Sequence, residues 1–319
     1  MTPASRSIAL TVALVLLAVA TGCSKKDQKE QRTPESTPDT HDALLVYTVN
    51  YPLAYFAQRL APAGVEVVFP APPDIDPAFW KPAADEIGAY QRADLILLNG
   101  AGYAGWTRYA TLPRSRIVVT AEGCREAFID VEDTSKHQHG PGGEHAHGGT
   151  AFTTWLDFRV AACQAARTRD ALKKRLHAAA GEIEKRYEAL ENDLLDLDTR
   201  LRDVAKTWKG QPLLASHPVY QYMADAYGLQ IASLHLEPDQ PLDSDALKQL
   251  DAVLAEHPAK LMLWEDAPLQ STADEIRKRG VAPLIFAPTS QPPATGDFLR
   301  AMQQNVTRLE CATGAQECL

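Results

Sequence analysis

Residues 172–208 read LKKRLHAAAGEIEKRYEALENDLLDLDTRLRDVAKTW, and their apolar members are Leu172, Leu176, Ala179, Ile183, Tyr187, Leu190, Leu194, Leu197, Leu201, Val204 and Trp208. Alternating steps of three and four make one apolar seam on a helix, with Lys, Arg, Glu and Asp on the wet face. At 1.5 Å per residue the predicted rod is roughly 55 Å long. Such a seam suits a two-stranded coiled coil, or a strut buried against flanking lobes. The flanks decide between these.

On both sides short apolar runs alternate with helical patterns. Upstream, strands are expected in LLVYTVN from Leu44, VEVVFPA from Val65, ADLILLNG from Ala93 and IVVTA from Ile117, with helices over Leu53–Leu60 and Ala83–Arg92. Downstream, PLLAS from Pro212, IASLH from Ile231, KLMLWE from Lys260 and APLIFAP from Ala282 alternate with helices at His217–Gly228, Asp243–Glu256, Leu269–Gly280 and Asp297–Leu309. This grammar predicts α/β architecture: two parallel-sheet (βα) lobes bridged by one long backbone helix, the ligand cleft lying at the strand C-termini between them. The rod then has lobe surface to cover, which disfavours the coiled coil.

The expected organisation is a signal peptide at 1–22, a flexible tether at 23–42, an N-terminal lobe at 43–154, a linking helix at 155–209 and a C-terminal lobe at 210–319. Arg6, the apolar run Ile8–Ala20 and then Thr21-Gly22-Cys23 read as an export signal ending at a lipidated cysteine, Cys23. The polar, proline-bearing stretch after it reads as a tether that leaves the body beside a membrane, inner or outer. A chain of 319 residues with 45% apolar content is globular, and a formal net charge of -9 argues against nucleic acid as a partner.

Within the N-terminal lobe, residues 136–149 form a Gly-rich loop carrying His137, His139, His145 and His147, imidazoles suited to zinc, nickel or copper. The alternative is a solvated insertion. Beyond Cys23 the four cysteines Cys124, Cys163, Cys311 and Cys318 suggest two disulfides in an oxidising compartment, with Cys124 to Cys163 and Cys311 to Cys318 as one pairing that spacing alone does not fix. No nucleophile elbow, phosphate loop or His-Glu-x-x-His is present, so no enzyme is expected.

The segment LLASHPVYQYMADAYGLQIASLH, with His217, Tyr222, Tyr227, Gly228 and Leu229, resembles the zinc- and manganese-binding lipoproteins of ABC importers, the ZnuA/TroA-like solute-binding proteins. ADLILLNGAGYAGW and TWLD resemble two further signatures of that family, in the same order, and the resemblance spans Leu44 to Leu309. It implies an exported, lipid-anchored, monomeric protein, periplasmic or at the cell surface. Its cargo would be Zn2+, or else Mn2+ or another divalent metal, delivered to an ABC permease.

The family's four cleft donors fall here on Ala78 in DPAFW, Thr153 in TTWL, His217 and about Ala287 in FAPTS, so only His217 carries over. His235 and Glu265, at strand ends, are candidates to complete it, as are Glu237, Asp74, Asp76 and an imidazole from the loop, such as His145 or His147. The alternatives are a cleft that has exchanged the metal for a metal chelate or organic ligand among Phe79, Trp80, Trp155, Tyr220 and Trp264, and a scaffold lipoprotein pairing through the rod.

Overall fold

The computed structural model describes residues 43–131, 136–138, 144–146 and 149–314. The expected signal peptide, the tether, Cys23, His139, His147 and Cys318 lie outside the described residues. The first sheet comprises β1 (Leu44–Thr48), β2 (Val65–Val68), β3 (Leu95–Leu98) and β4 (Ile117–Val119), all parallel, in the order β2-β1-β3-β4. Helices α1 (Tyr51–Leu60) and α2 (Ala84–Arg92) alternate with its strands. Asn50, just past β1, caps α1 by accepting the Leu53 N–H, and Pro52 sits in the first turn, where a missing N–H costs nothing.

Two small antiparallel pairs follow, β5 (Asp130–Val131) with β8 (Gly149–Thr150), and β6 (Lys136–Gln138) with β7 (Glu144–Ala146). The backbone register of the second pair sets His137 opposite His145.

The rod is shorter than the periodicity implies. Phe158–Arg175 forms α3, the helical backbone breaks at Leu176 (φ -120°, ψ 60°), and α4 runs over Ala180–Trp208, 29 residues. The two lie antiparallel: Arg169 and Lys173 of α3 pair with Glu184 of α4 at 3.2 and 2.6 Å, and Arg159 with Asp198 at 3.0 Å. Spacing cannot reveal this reversal, because Leu172 and Ile183 both point into the hairpin and continue one seam.

Every seam residue from Ile183 to Trp208 is buried within the chain, where α4 packs on α3, α1 and a C-terminal helix α8 (Phe298–Thr313). Polar ties on its rim include Arg59–Asp193 to α1 and Arg200–Glu310 to α8, both 2.8 Å. The seam is therefore already covered, and the coiled-coil scaffold reading has no apolar stripe to use.

The second sheet repeats the first: β9 (Pro212–Ala215), β10 (Gln230–Ser233), β11 (Leu261–Trp264) and β12 (Ala282–Ile285), parallel, in the order β10-β9-β11-β12. Helices α5 (Gln221–Tyr227), α6 (Ser244–Glu256) and α7 (Gln270–Lys278) alternate with its strands. One continuous core runs from Val46 and Leu95 through the α4 seam to Leu213, Leu263 and Phe286; a satellite core holds Leu214, Met262 and Trp264 under α6 and α7. Cys124 and Cys163 are bonded, joining the segment after β4 to α3. Cys311 is also disulfide-bonded. Among the described residues no helix is long and apolar enough to cross a membrane.

Candidate functional site

Strand order builds the site. β9 lies between β10 and β11, so the residues just past their C-terminal ends stand side by side: His217 in the middle, Glu237 beyond β10 and Glu265 beyond β11. Two hydrogen bonds extend the ladder to hold this line, Ser216 N–H to the Leu263 carbonyl (2.8 Å) and Leu236 N–H to the Ser216 carbonyl (3.0 Å). His217 does not open a helix as expected; α5 begins at Gln221. Pro218 turns His217 itself away from helical backbone.

His217 is buried, 3% exposed, with Nδ1 2.9 Å from Glu265 Oε1 and Nε2 3.5 Å from Glu237 Oε1. Burial alone would depress its pKa, but the bonds and charge of Glu237 and Glu265 outweigh that and raise it to about 9. Glu265 and Glu237, which clasp the ring, thus favour its protonated, cationic form.

The clasp opens onto a cavity of 220 Å³ that both halves of the chain line: Asp76, Phe79 and Phe152 on one side, His217, Val219, Glu237, Pro238 and Glu265 on the other. Asp76 and Phe79 come from the loop between β2 and α2. There Asp76 Oδ1 accepts the Ala78 N–H (2.9 Å) and its carbonyl accepts the N–H groups of Phe79 and Trp80 (both 3.0 Å). Phe79 meets Phe152 edge to face at 5.9 Å. Phe152 is held by Asn99, whose Nδ2 donates to the Phe152 carbonyl (3.0 Å) while Oδ1 accepts from Asn50, Thr154 and Gln164.

His235 lies beside the cluster, its ring 6.2 Å from that of His217, but it is not a lining residue. Of the aromatic wall expected for an organic ligand, only Phe79 lines the cavity. Trp80, Trp155 and Tyr220 are buried in the main core, and Trp264 in the satellite core because strand alternation sends it with Met262 to the far face. Phe152, Val219 and Pro238 carried no chemical signal in the sequence.

The three positions where the family resemblance implies donors are otherwise engaged. Ala78 is buried, the Thr153 hydroxyl donates to the Val219 carbonyl, and Asn305 brackets Ala287, accepting its N–H (3.2 Å) and donating to its carbonyl (2.7 Å). Among the described residues no group of three or more His, Cys, Asp and Glu is arranged to hold a metal ion. The side chains of His137 and His145 lie outside the described part of the structure.

Two four-stranded parallel sheets, a long helix across both and a cavity between their strand ends invite comparison with known proteins. The family model ZnuA, described as "Zinc-uptake complex component A periplasmic", matches residues 46–312. The chain belongs to the ZnuA family. Membership makes it a solute-binding protein of a metal ABC importer, a non-enzymatic class. This ZnuA-family chain is similar to the high-affinity zinc uptake system protein ZnuA of Bacillus subtilis (strain 168), 26% identical over 252 residues, covering 76% of this chain and 77% of the relative.

Its fold is shared with the metal-dependent lipoprotein YcdH of Bacillus subtilis (TM-score 0.70, 22% identity, 84% of this chain and 98% of the other). It is shared also with the Zn(II)-bound ZnuA-like domain of Streptococcus pneumoniae AdcA (0.70, 19%, 85% and 98%) and with the periplasmic zinc-binding protein TroA of Treponema pallidum (0.64, 19%, 85% and 99%). The resemblance read from the sequence and the fold class expected of it are both correct.

Proposed function

We propose that this ZnuA-family chain captures a divalent metal ion, zinc first, in the cavity between its two sheets and passes it to the permease of an ABC importer. It would do so outside the cytoplasm, held near the membrane by a lipid on Cys23. What supports this reading is ZnuA-family membership over residues 46–312 together with the meeting of His217, Glu237 and Glu265 at one cavity mouth, with Asp76 among the other lining residues; in the metal-free geometry these groups are not arranged as a metal site and would have to close on the ion. Nitrogen and carboxylate oxygen are donors zinc accepts, at about four per ion.

The step at the protein is an exchange. A ring nitrogen of His217 could ligate only when deprotonated, so metal capture would release one proton from the ring to solvent, and Glu237 and Glu265, no longer paired to it, would be available as oxygen donors. His137, His139, His145 and His147 serve in this reading as a collecting loop, and His145 or His147 as a further donor to the cavity.

A second reading has its own observation. With Ala78, Thr153 and Ala287 at the implied donor positions, the cavity takes a metal chelate or organic ligand instead, set against the aromatic pair Phe79 and Phe152. Calorimetric titration with zinc separates the two. Capture in the cavity predicts one tight site per chain that His217→Ala abolishes and that weakens on deletion of residues 136–149. Heat that is only weak and multi-site, unchanged by His217→Ala and absent after the deletion, would leave the second reading standing.

A further inference from the structure

The segment between β12 and α8 leaves the second half of the molecule and fastens to the first. Three consecutive ties do this. The Pro288 carbonyl accepts the indole N–H of Trp155 at 2.7 Å, the Ser290 carbonyl accepts the Tyr51 N–H at 3.0 Å, and Gln291 Nε2 donates to the carbonyls of both Pro72 (2.6 Å) and Ile75 (2.8 Å). Between the first two, Thr289 holds φ +58°, in the left-handed region that disfavours a β-branched residue. A backbone kept in that region needs anchors on each side. Pro288, Ser290 and Gln291 are those anchors.

Pro72 and Ile75 belong to the loop whose next residues, Asp76 and Phe79, line the cavity. This loop has no regular secondary structure between β2 and α2; within it the Ile75 N–H reaches the Pro72 carbonyl (3.2 Å) and a turn forms about Asp76. Ala71, Ala78 and Trp80 bury in the main core and Phe79 packs on Phe152, which anchors the loop within its own half. The carboxamide of Gln291, reaching the Pro72 and Ile75 carbonyls, ties it to the other half.

We propose that Gln291 is a positioning residue for the cavity: it moors the Pro72–Trp80 loop to the strap Pro288–Gln291, so that Asp76 and Phe79 already face His217 before any cargo arrives. This rests on the reading that the cavity holds the cargo. A moored wall removes the ordering cost from the binding step, which raises affinity without a new contact to the ligand.

The test uses two substitutions of similar length and opposite capability. Gln291→Glu keeps the shape, but an ionised carboxylate has no hydrogen to give to the two carbonyls; Gln291→Lys retains donors, loses the acceptor and adds a positive charge. Zinc affinity is followed by calorimetry, and the mooring itself by amide hydrogen exchange over residues 72–80 of the metal-free, full-length protein. Losing two hydrogen bonds of roughly 1 kcal/mol each predicts that Gln291→Glu weakens zinc binding about 30-fold and speeds exchange over 72–80 by a similar factor, whereas Gln291→Lys stays within about threefold of the parent.

Simple electrostatics predicts the reverse order, since an added anion near the cavity attracts a cation and an added ammonium repels it. Binding that tightens in Gln291→Glu and falls in Gln291→Lys would therefore overturn the proposal, as would unchanged exchange over 72–80 in Gln291→Glu. Should the parent protein take up no zinc, the proposed function fails. The exchange contrast between the two variants then decides the mooring alone.

Discussion

His217 is a residue whose charge state the fold has taken over. Its pKa of about 9 exceeds the ordinary histidine value of 6.5, so the folded protein binds the proton more tightly than the unfolded chain does. The stability gained from the clasp is fully present below pH 6.5 and is lost as pH rises through 9, a difference on the order of 3 kcal/mol. Urea unfolding at pH 6 and pH 10 checks this. The parent midpoint falls more across that interval than that of His217→Gln, which carries no titrating ring.

The residue itself was legible through the family resemblance carried by LLASHPVYQYMADAYGLQ, and Glu265 because it terminates KLMLWE. Gln291 was not, since a loop carries no periodicity and nothing in SQPPATG announces that its amide will meet a loop 216 to 219 residues away. Nor were the misplaced tryptophans avoidable, for period two names the two faces of a strand without saying which one is the cleft.

At the scale of elements, the α3–α4 hairpin sets the frame on which both sheets lie. Leu197 sits at the centre of the α4 seam, fully buried. Truncation by Leu197→Ala leaves a cavity where α4 meets its neighbours and should cost about 2–5 kcal/mol, read as a shift in urea midpoint with little change in slope. Asp198, next along the helix, has a different role. Burial opposes its ionisation, but Arg202 and Arg159 hold its carboxyl below the ordinary range, which ties the two helices together at their open end.

The seam was readable residue by residue, and its partners were not. Apolar spacing is a property of one helix; the flanking α/β grammar favoured the chain's own lobes over a second chain, but which elements cover the seam, α1, α3 and α8, is settled by tertiary packing. The break at Leu176 is hidden for the same reason: a turn whose apolar residues keep facing inward leaves the period intact.

For the whole molecule, the decisive property is that one core passes through both sheets and the long helix without interruption. Two halves sharing their apolar interior should unfold together, so scanning calorimetry of the mature chain is expected to show a single transition, its calorimetric and van't Hoff enthalpies equal. Two resolved transitions would mean that the halves are independent bodies. The doubled α/β grammar made the overall architecture plain from sequence, because alternation of strand and helix constrains parallel sheets strongly. The continuity of the core had no such signature, since it depends on which faces of α1, α4 and α8 meet.

That shared interior also sets how occupancy of this protein can be reported. A pair of dyes placed one on each sheet would sit on what is mechanically one block and register little. A single environment-sensitive dye beside Ser290, where the chain takes a left-handed turn between anchors, would stand on the strap that, in the proposal above, moors the cavity wall. A sensor built on this scaffold should read local polarity there and forgo distance.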